Sequence, residues 1–213
     1  MNNSEIFIRN YQSADYEQII SVFDDAYADM DTNYAPFEVM EKLRLHYPAG
    51  QIVACENGEI VGCILSLFCP FAEFSQPKAM ADIYDPDNFG AFGDTADSLF
   101  ALEILVKSNQ QRKGIGKLLN QAISNVLKDN NLRAFIGVSR LSGYAAVQSQ
   151  MSVETYMQKV QNRELFDPAL SYNCANQMLP TQAIRDYYPA DAASAGFGAL
   201  VIQHNPFFYK KLS

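Results

Sequence analysis

SLFALEILVKSNQQRKGIGKLLNQAISNVLK, residues 98–128, reads as a buried strand, a short polar bend and a long amphipathic helix. Ser98 to Val106 is apolar almost throughout, with Glu103 its single charged residue. From Gly114 to Lys128, residues Ile115, Leu118, Leu119, Ala122, Ile123 and Val126 recur at helical spacing and predict an inward stripe. Between the two stands Gln111-Arg112-Lys113-Gly114-Ile115-Gly116. Gly114 and Gly116 lack a β-carbon and let an anion approach the main chain. The free N–H groups and positive dipole end of the helix start point outward at the same place, which suits a pyrophosphate. Arg112, Lys113 and Lys117 add cationic groups. The bland alternative is an ordinary strand-to-helix turn.

Upstream, Ile6 to Arg9 predicts a first strand, and Ser13 is a candidate cap for a helix with Tyr16, Ile19, Ile20, Phe23 and Tyr27 on one side. A second helix follows Pro36, with Phe37, Met40, Leu43 and Tyr47, and stops before Pro48. Gln51–Glu56 and Glu59–Phe68 read as two strands joined by Asn57-Gly58, a dipeptide suited to a tight hairpin. Cys69 to Asp97 has no sustained period and is long for a loop, which suggests a lid or an acceptor-binding segment. Downstream, the pattern predicts a strand over Arg133–Val138, helices over Ser152–Arg163 and Pro168–Gln177, and final strands over Ala183–Tyr188 and Phe197–Gln203.

At 213 residues, 48% hydrophobic and 19% charged, the chain fits one domain, 1–213, with a sizeable core. The formal charge of −8 speaks against nucleic acid and favours a cationic acceptor. No run is long enough to span a membrane and the N-terminus lacks a secretion-signal layout, so a cytoplasmic location is expected. Cys55, Cys63, Cys69 and Cys174 have no metal-ligand spacing and read as small core residues. His46 and His204 are the only histidines, without a ligand cluster, so no metal site is expected.

Ser98 to Lys128 resembles the acetyl-CoA-binding motif of the GNAT N-acetyltransferase superfamily, and the order of elements resembles that family over nearly the whole chain. Phe135–Tyr144 (FIGVSRLSGY), Met151–Tyr156 (MSVETY) and Glu164–Leu170 (ELFDPAL) are closest to the GNAT domain found fused to nitrilase-type carbon-nitrogen hydrolases. The sequence ends at Ser213 with no hydrolase part, so the likeness bears on fold and cofactor rather than substrate. It implies an α/β (α+β) GNAT fold: a central mixed, mostly antiparallel, twisted sheet of about seven strands flanked by helices, with a splayed strand pair.

The resemblance also implies roles. Acetyl-CoA would lie with its pantetheine arm along Leu105 and Val106, a backbone N–H near Leu105 would serve as oxyanion donor, and the amides of Gln111 to Gly116 would hold the pyrophosphate. Glu103 is the candidate base, because an ammonium must lose a proton before it attacks a thioester; the other reading is a solvent-facing or ion-paired strand residue. The tyrosine commonly used as general acid aligns with Asn173, beside Tyr172, and Gln177-Met178 stands where a Gly-Phe pair is usual. Tyr172 is therefore a second candidate acid, with Tyr187 or Tyr188 as further alternatives. Arg140, with Ser139 and Tyr144, is a candidate for acceptor recognition, against a salt bridge on the insert that follows.

Three functions remain open on this basis. The first is acetyl transfer from acetyl-CoA to a small-molecule amine by direct attack, with no cysteine placed as a nucleophile. The second is acyl transfer to or from a carrier-protein thiol, and the third is a non-catalytic CoA-binding module. A homodimer is compatible with each.

Overall fold

The computed structural model describes residues 5–28, 36–83 and 92–210. Seven strands form one sheet in the order β1-β2-β3-β4-β5-β7-β6. They are β1 (Ile6–Asn10), β2 (Ile52–Glu56), β3 (Glu59–Cys69), β4 (Ser98–Val106), β5 (Ala134–Arg140), β6 (Leu179–Ile184) and β7 (Gly198–His204). Neighbours run antiparallel except β4 and β5, which are parallel. The mixed, mostly antiparallel sheet expected from the resemblance is present.

The helices are α1 (Tyr16–Ala26), α2 (Phe37–His46), the short α3 (Phe71–Phe74) and α4 (Met80–Ile83), α5 (Ile115–Asp129), α6 (Val153–Gln161) and α7 (Pro168–Ala175). On one sheet face Ile115, Leu119 and Ile123 of α5 pack on Ile64, Leu99 and Phe135, joined by Tyr156 of α6 and Leu170 of α7. On the other face Ile19, Val22 and Phe23 of α1 meet Val53, Cys63, Leu65 and Leu105. Beside them, Leu43 of α2, Phe74 and Ile83 cover Phe100, Ile136 and Leu200. Both faces being covered, β3 and β4 are apolar without alternation. Among the described residues no helix is long and apolar enough to cross a membrane.

Asn57 and Gly58 take positive φ (54° and 84°), and Glu56 pairs with Glu59, so the hairpin is the predicted two-residue turn. Cys55, Cys63 and Cys69 are buried and Cys174 half-buried, all as free thiols.

Two expectations are corrected. Ser13 does not cap the first helix: it opens a 3-10 turn, Ser13–Asp15, and Asp15 stands at the helix entrance, where Arg9 binds its carboxylate through two hydrogen bonds. The strand expected over Ala183–Tyr188 is Leu179–Ile184. Pro180 is tolerated because β6 is an edge strand, and the chain turns away at Asp186, whose φ is 56°. Within Cys69–Asp97, residues 84–91 lie outside the described residues, and aromatic contacts hold the remainder against the sheet. Phe74 packs edge-on against Phe92 and Phe100 (centroids 5.4 Å apart in each pair), and the Arg133 guanidinium lies 3.8 Å from the Phe71 ring centre.

Past β5 the chain is gathered by one carboxylate. Asp167 is fully buried and accepts from Ala169 and Leu170 N–H (3.1 and 3.0 Å), capping α7, from Gly143 N–H (2.9 Å), and from the Tyr156 hydroxyl (2.8 Å) of α6. α7 ends with the N–H of Met178 on the Asn173 carbonyl (2.9 Å) and that of Gln177 on the Cys174 carbonyl (3.1 Å), with Gln177 left-handed at φ 64°. This is a Schellman closure whose left-handed position normally carries glycine. Asp167→Ala, which strands two buried donors besides the cap, is expected to cost about 3 kcal/mol or more in chemical denaturation. Gln177→Gly is expected to stabilise by roughly 1 kcal/mol in the same measurement.

Candidate active site

The bend after β4 leads through a 3-10 turn, Ser108–Gln110, into α5. Gly114 has φ 88° at the N-cap, Arg112 is also left-handed at 62°, and no side chain caps the helix. The first backbone bond of α5 is Leu118 N–H to Gly114 O, 3.1 Å. The N–H groups of Ile115, Gly116 and Lys117 therefore have no partner within the helix. The first turn carries no acid, and Arg112, Lys113 and Lys117 are exposed around it. Lys113 Nζ reaches Gln110 Oε1 (2.6 Å) and Gln111 Nε2 reaches the Val106 carbonyl (3.2 Å), which ties the bend to the end of β4. These groups fit a diphosphate: a cradle without a β-carbon at its cap, free donors and flanking cations.

β4 and β5 pair only at Leu99↔Phe135 and Phe100↔Ile136. Beyond Phe100 the two strands separate, the splayed pair expected from the resemblance. The register of β4 against β3 jumps from Leu65↔Glu103 to Ser66↔Ala101, leaving Leu102 as the extra residue of a bulge. Side-chain facing changes there. Leu99 and Ala101 pack on the α5 face and Phe100 and Leu102 on the opposite one, yet Ile104 and Val106 return to the α5 face. The bulge thereby sends Glu103 to the same side as Leu102, where α1 lies. The main chain is oriented by the same register. Lys107 N–H donates to Val61 O (2.9 Å), and alternation along an antiparallel pair turns the main-chain groups of Leu105 toward β3, leaving those of Ile104 and Val106 facing the gap. The donor near Leu105 that can serve a ligand in the gap belongs to Ile104 or Val106, not to Leu105 itself.

Glu103 is half-buried, and its Oε2 accepts a hydrogen bond from the Tyr27 hydroxyl at 2.7 Å. Burial pushes its carboxyl up to about 7, against the Tyr27 hydrogen bond, which lowers it. The phenols of Tyr27, Tyr187 and Tyr188 are raised, chiefly by burial and further by the nearby Glu103 charge. Tyr188 donates to the Val138 carbonyl of β5 (3.1 Å).

The other candidates lie apart from Glu103. Tyr172 is on the α5 face: its hydroxyl donates to the Gly116 carbonyl (2.9 Å), and a β-carbon on Gly116 would stand 2.7 Å from its ring. Asn173 is 7% exposed, four residues before the left-handed Gln177, and its carbonyl accepts from Met178 N–H. Arg140 is gripped by Asp191 through two bonds of 2.6 Å, which hold the Asp191 carboxyl down at about 2. Tyr144 is 6% exposed, packed against Tyr156 and Phe197.

Residues 16–147 match the model of the Acetyltransferase (GNAT) family. The chain belongs to the GNAT family. It is 26% identical over 201 residues to the probable hydrolase YhcX of Bacillus subtilis (strain 168), covering 94% of this chain but only 39% of that protein. It is also 26% identical over 212 residues to the uncharacterized N-acetyltransferase YkwB of the same organism, covering 97% of this chain and 91% of that protein. Among solved structures, the loading GNATL domain of CurA from Lyngbya majuscula shares the fold with a TM-score of 0.78 at 17% identity, over 94% of this chain and 98% of that one. The GphF GNAT-like decarboxylase in complex with isobutyryl-CoA follows at 0.68 and 17%, over 93% and 98%.

In this GNAT chain the residues that sequence reasoning overlooked are Tyr27 and Asp191. Tyr27 reads in sequence only as the last apolar position of a helix, and its bond to Glu103 spans 76 residues. If Glu103 works as a carboxylate, activity rises with pH through about 7. Tyr27→Phe removes the bond that lowers that value, so the acidic limb of the kcat/KM profile is expected to move to higher pH, by roughly half a unit to one unit.

Proposed function

We propose that this GNAT enzyme transfers an acetyl group from acetyl-CoA to the amine of a small molecule in the cytosol. The observation that carries the proposal is Glu103, a carboxyl lifted to about 7, beside the gap that opens between β4 and β5. A carboxyl at 4.5 is a poor match for an alkyl ammonium near 10.4; lifting it to about 7 narrows the proton-transfer gap by on the order of 3 kcal/mol.

The site divides between the two faces of the sheet. On one side of the gap the start of α5 holds the diphosphate through Ile115, Gly116 and Lys117 N–H, with Arg112, Lys113 and Lys117 around it. The cofactor supplies the activated acyl thioester. Main-chain N–H groups of Ile104 and Val106 orient its carbonyl and stabilise the charge that develops on oxygen. On the α1 face Glu103 takes the proton from the incoming ammonium, directly or through one water, with Tyr27 fixing the carboxylate. Tyr172, kept neutral by its burial, donates its hydroxyl hydrogen to the Gly116 carbonyl and steadies the start of α5 at the diphosphate end, and the leaving thiolate takes its proton from solvent.

A second reading, acyl transfer to or from a carrier-protein thiol, draws on the two structural neighbours, a loading domain and a decarboxylase. Thiol release from acetyl-CoA separates the two: the amine reading expects release with amines and none with a carrier protein. Glu103→Gln is expected to lower kcat/KM about 10²- to 10³-fold while thermal stabilisation by CoA stays within error. Retained turnover in that variant would remove Glu103 from the mechanism.

A further inference from the structure

Two carboxylates from elsewhere in the fold hold the bend between β4 and α5. Asp25, in the last turn of α1, accepts from both the N–H and the hydroxyl of Ser108, the hydroxyl at 2.9 Å. That N–H opens the 3-10 turn Ser108–Gln110, for which Lys107 at the cap position supplies no side-chain bond. Asp25 therefore caps the turn from 83 positions away in the chain. On the other side of the bend Glu56, at the end of β2, accepts from Gln110 Nε2 (2.9 Å), and Gln110 Oε1 accepts from Lys113 Nζ (2.6 Å). A carboxylate only accepts and an ammonium only donates, so these two partners fix which way the Gln110 amide faces. Two residues beyond Asp25, Tyr27 binds Glu103, and the end of α1 thus grips the chain on both sides of Leu105.

The bend has little of its own to hold it. Gln111 to Gly114 are exposed, and Arg112 and Gly114 are left-handed. Order imposed on such a segment only when a ligand arrives counts against affinity, whereas order imposed beforehand does not. Charge acts the other way, because a carboxylate beside an anion site repels the ligand. An acid placed here serves the cofactor through geometry or weakens it through charge, and the two bonds to Ser108 favour geometry. We propose that Asp25 is a positioning residue for coenzyme A: by capping the Ser108–Gln110 turn it holds the bend in the form in which the start of α5 receives the diphosphate. It rests on the diphosphate lying at the start of α5 and assumes nothing about the acceptor.

Calorimetric titration of CoA into the wild-type chain and its variants tests this without turnover. Asp25→Ala is expected to weaken CoA binding about fivefold or more. Asp25→Asn is expected to restore most of the affinity, since its amide oxygen still accepts from Ser108 N–H and its NH₂ donates to the Ser108 hydroxyl. Adding Ser108→Ala to Asp25→Ala is expected to weaken binding no further, the partner being already gone. Hydrogen exchange in the absence of CoA gives a second reading: amides 108–113 are expected to exchange faster in Asp25→Ala, while those of β7 keep the wild-type rate. Unchanged or tighter CoA binding in Asp25→Ala, equal weakening in Asp25→Asn, a further loss in the double variant, or unaltered exchange over 108–113 overturns the proposal. Failure of the wild-type chain to bind CoA sinks the diphosphate reading and this proposal together. Normal CoA binding that is insensitive to Asp25→Ala sinks only the positioning role and leaves acetyl transfer standing, and CoA binding without thiol release to any amine does the reverse.

Discussion

Two residue pairs, Leu99↔Phe135 and Phe100↔Ile136, are all that join β4 to β5, and the site depends on their being so few. A fully zipped pair would spend the inner main-chain groups of Ile104 and Val106 on β5 and close the gap. The sheet survives the break because β4 remains tied to β3 along its length and β5 to β7. Helix α5 spans the junction, packing on Ile64 and Leu99 on one side of it and on Phe135 on the other. Small residues line the junction: a β-carbon on Gly137 would stand 3.3 Å from that of Ala101.

The bulge at Leu102 adds direction to that opening. One extra residue reverses which face the side chains after it meet, so Glu103 leaves the face of α5 and joins that of α1. The start of α5 and the carboxyl are thereby separated by the sheet. The arrangement has an electrostatic cost. Glu103 has a folded-state value near 7, above its ordinary 4.5, so its contribution to stability is complete below about 4.5 and is lost as pH rises through about 7. The fold at neutral pH carries a carboxylate that a partner cation would relieve.

Arg140 shows how a side chain suited to recognition can be absorbed by the frame. Its planar fork meets Asp191 in the loop before β7, binding the end of β5 to that loop. Tyr144 is consumed in the same way by an aromatic cluster with Tyr156 and Phe197. Tyr188 takes the Val138 carbonyl, so the loop after β6 is fastened beside the gap.

Features governed by neighbours in the chain were legible in the sequence. The hairpin at Asn57-Gly58, the helix from Ile115 and the uncapped glycine entrance at Gly114 follow from backbone freedom and a 3.6-residue period, which act over a few residues. The end of α7 was legible only in part: the helix expected to reach Gln177 stops at Ala175, and Gln177 takes the left-handed turn after it. Legibility stopped where an element is decided by edges or by distant partners: Ser13 lost the cap because Asp15 meets Arg9, and β6 begins before Pro180 because an outer strand tolerates a missing N–H. The sequence by itself determined the order of elements, the glycine entrance to α5 and the presence of one acidic residue in the central strand. Only the tertiary structure decided which face that acid meets, that Tyr27 holds it and that Asp191 pairs with Arg140, because pairing register and long-range contacts join residues 50 or more positions apart.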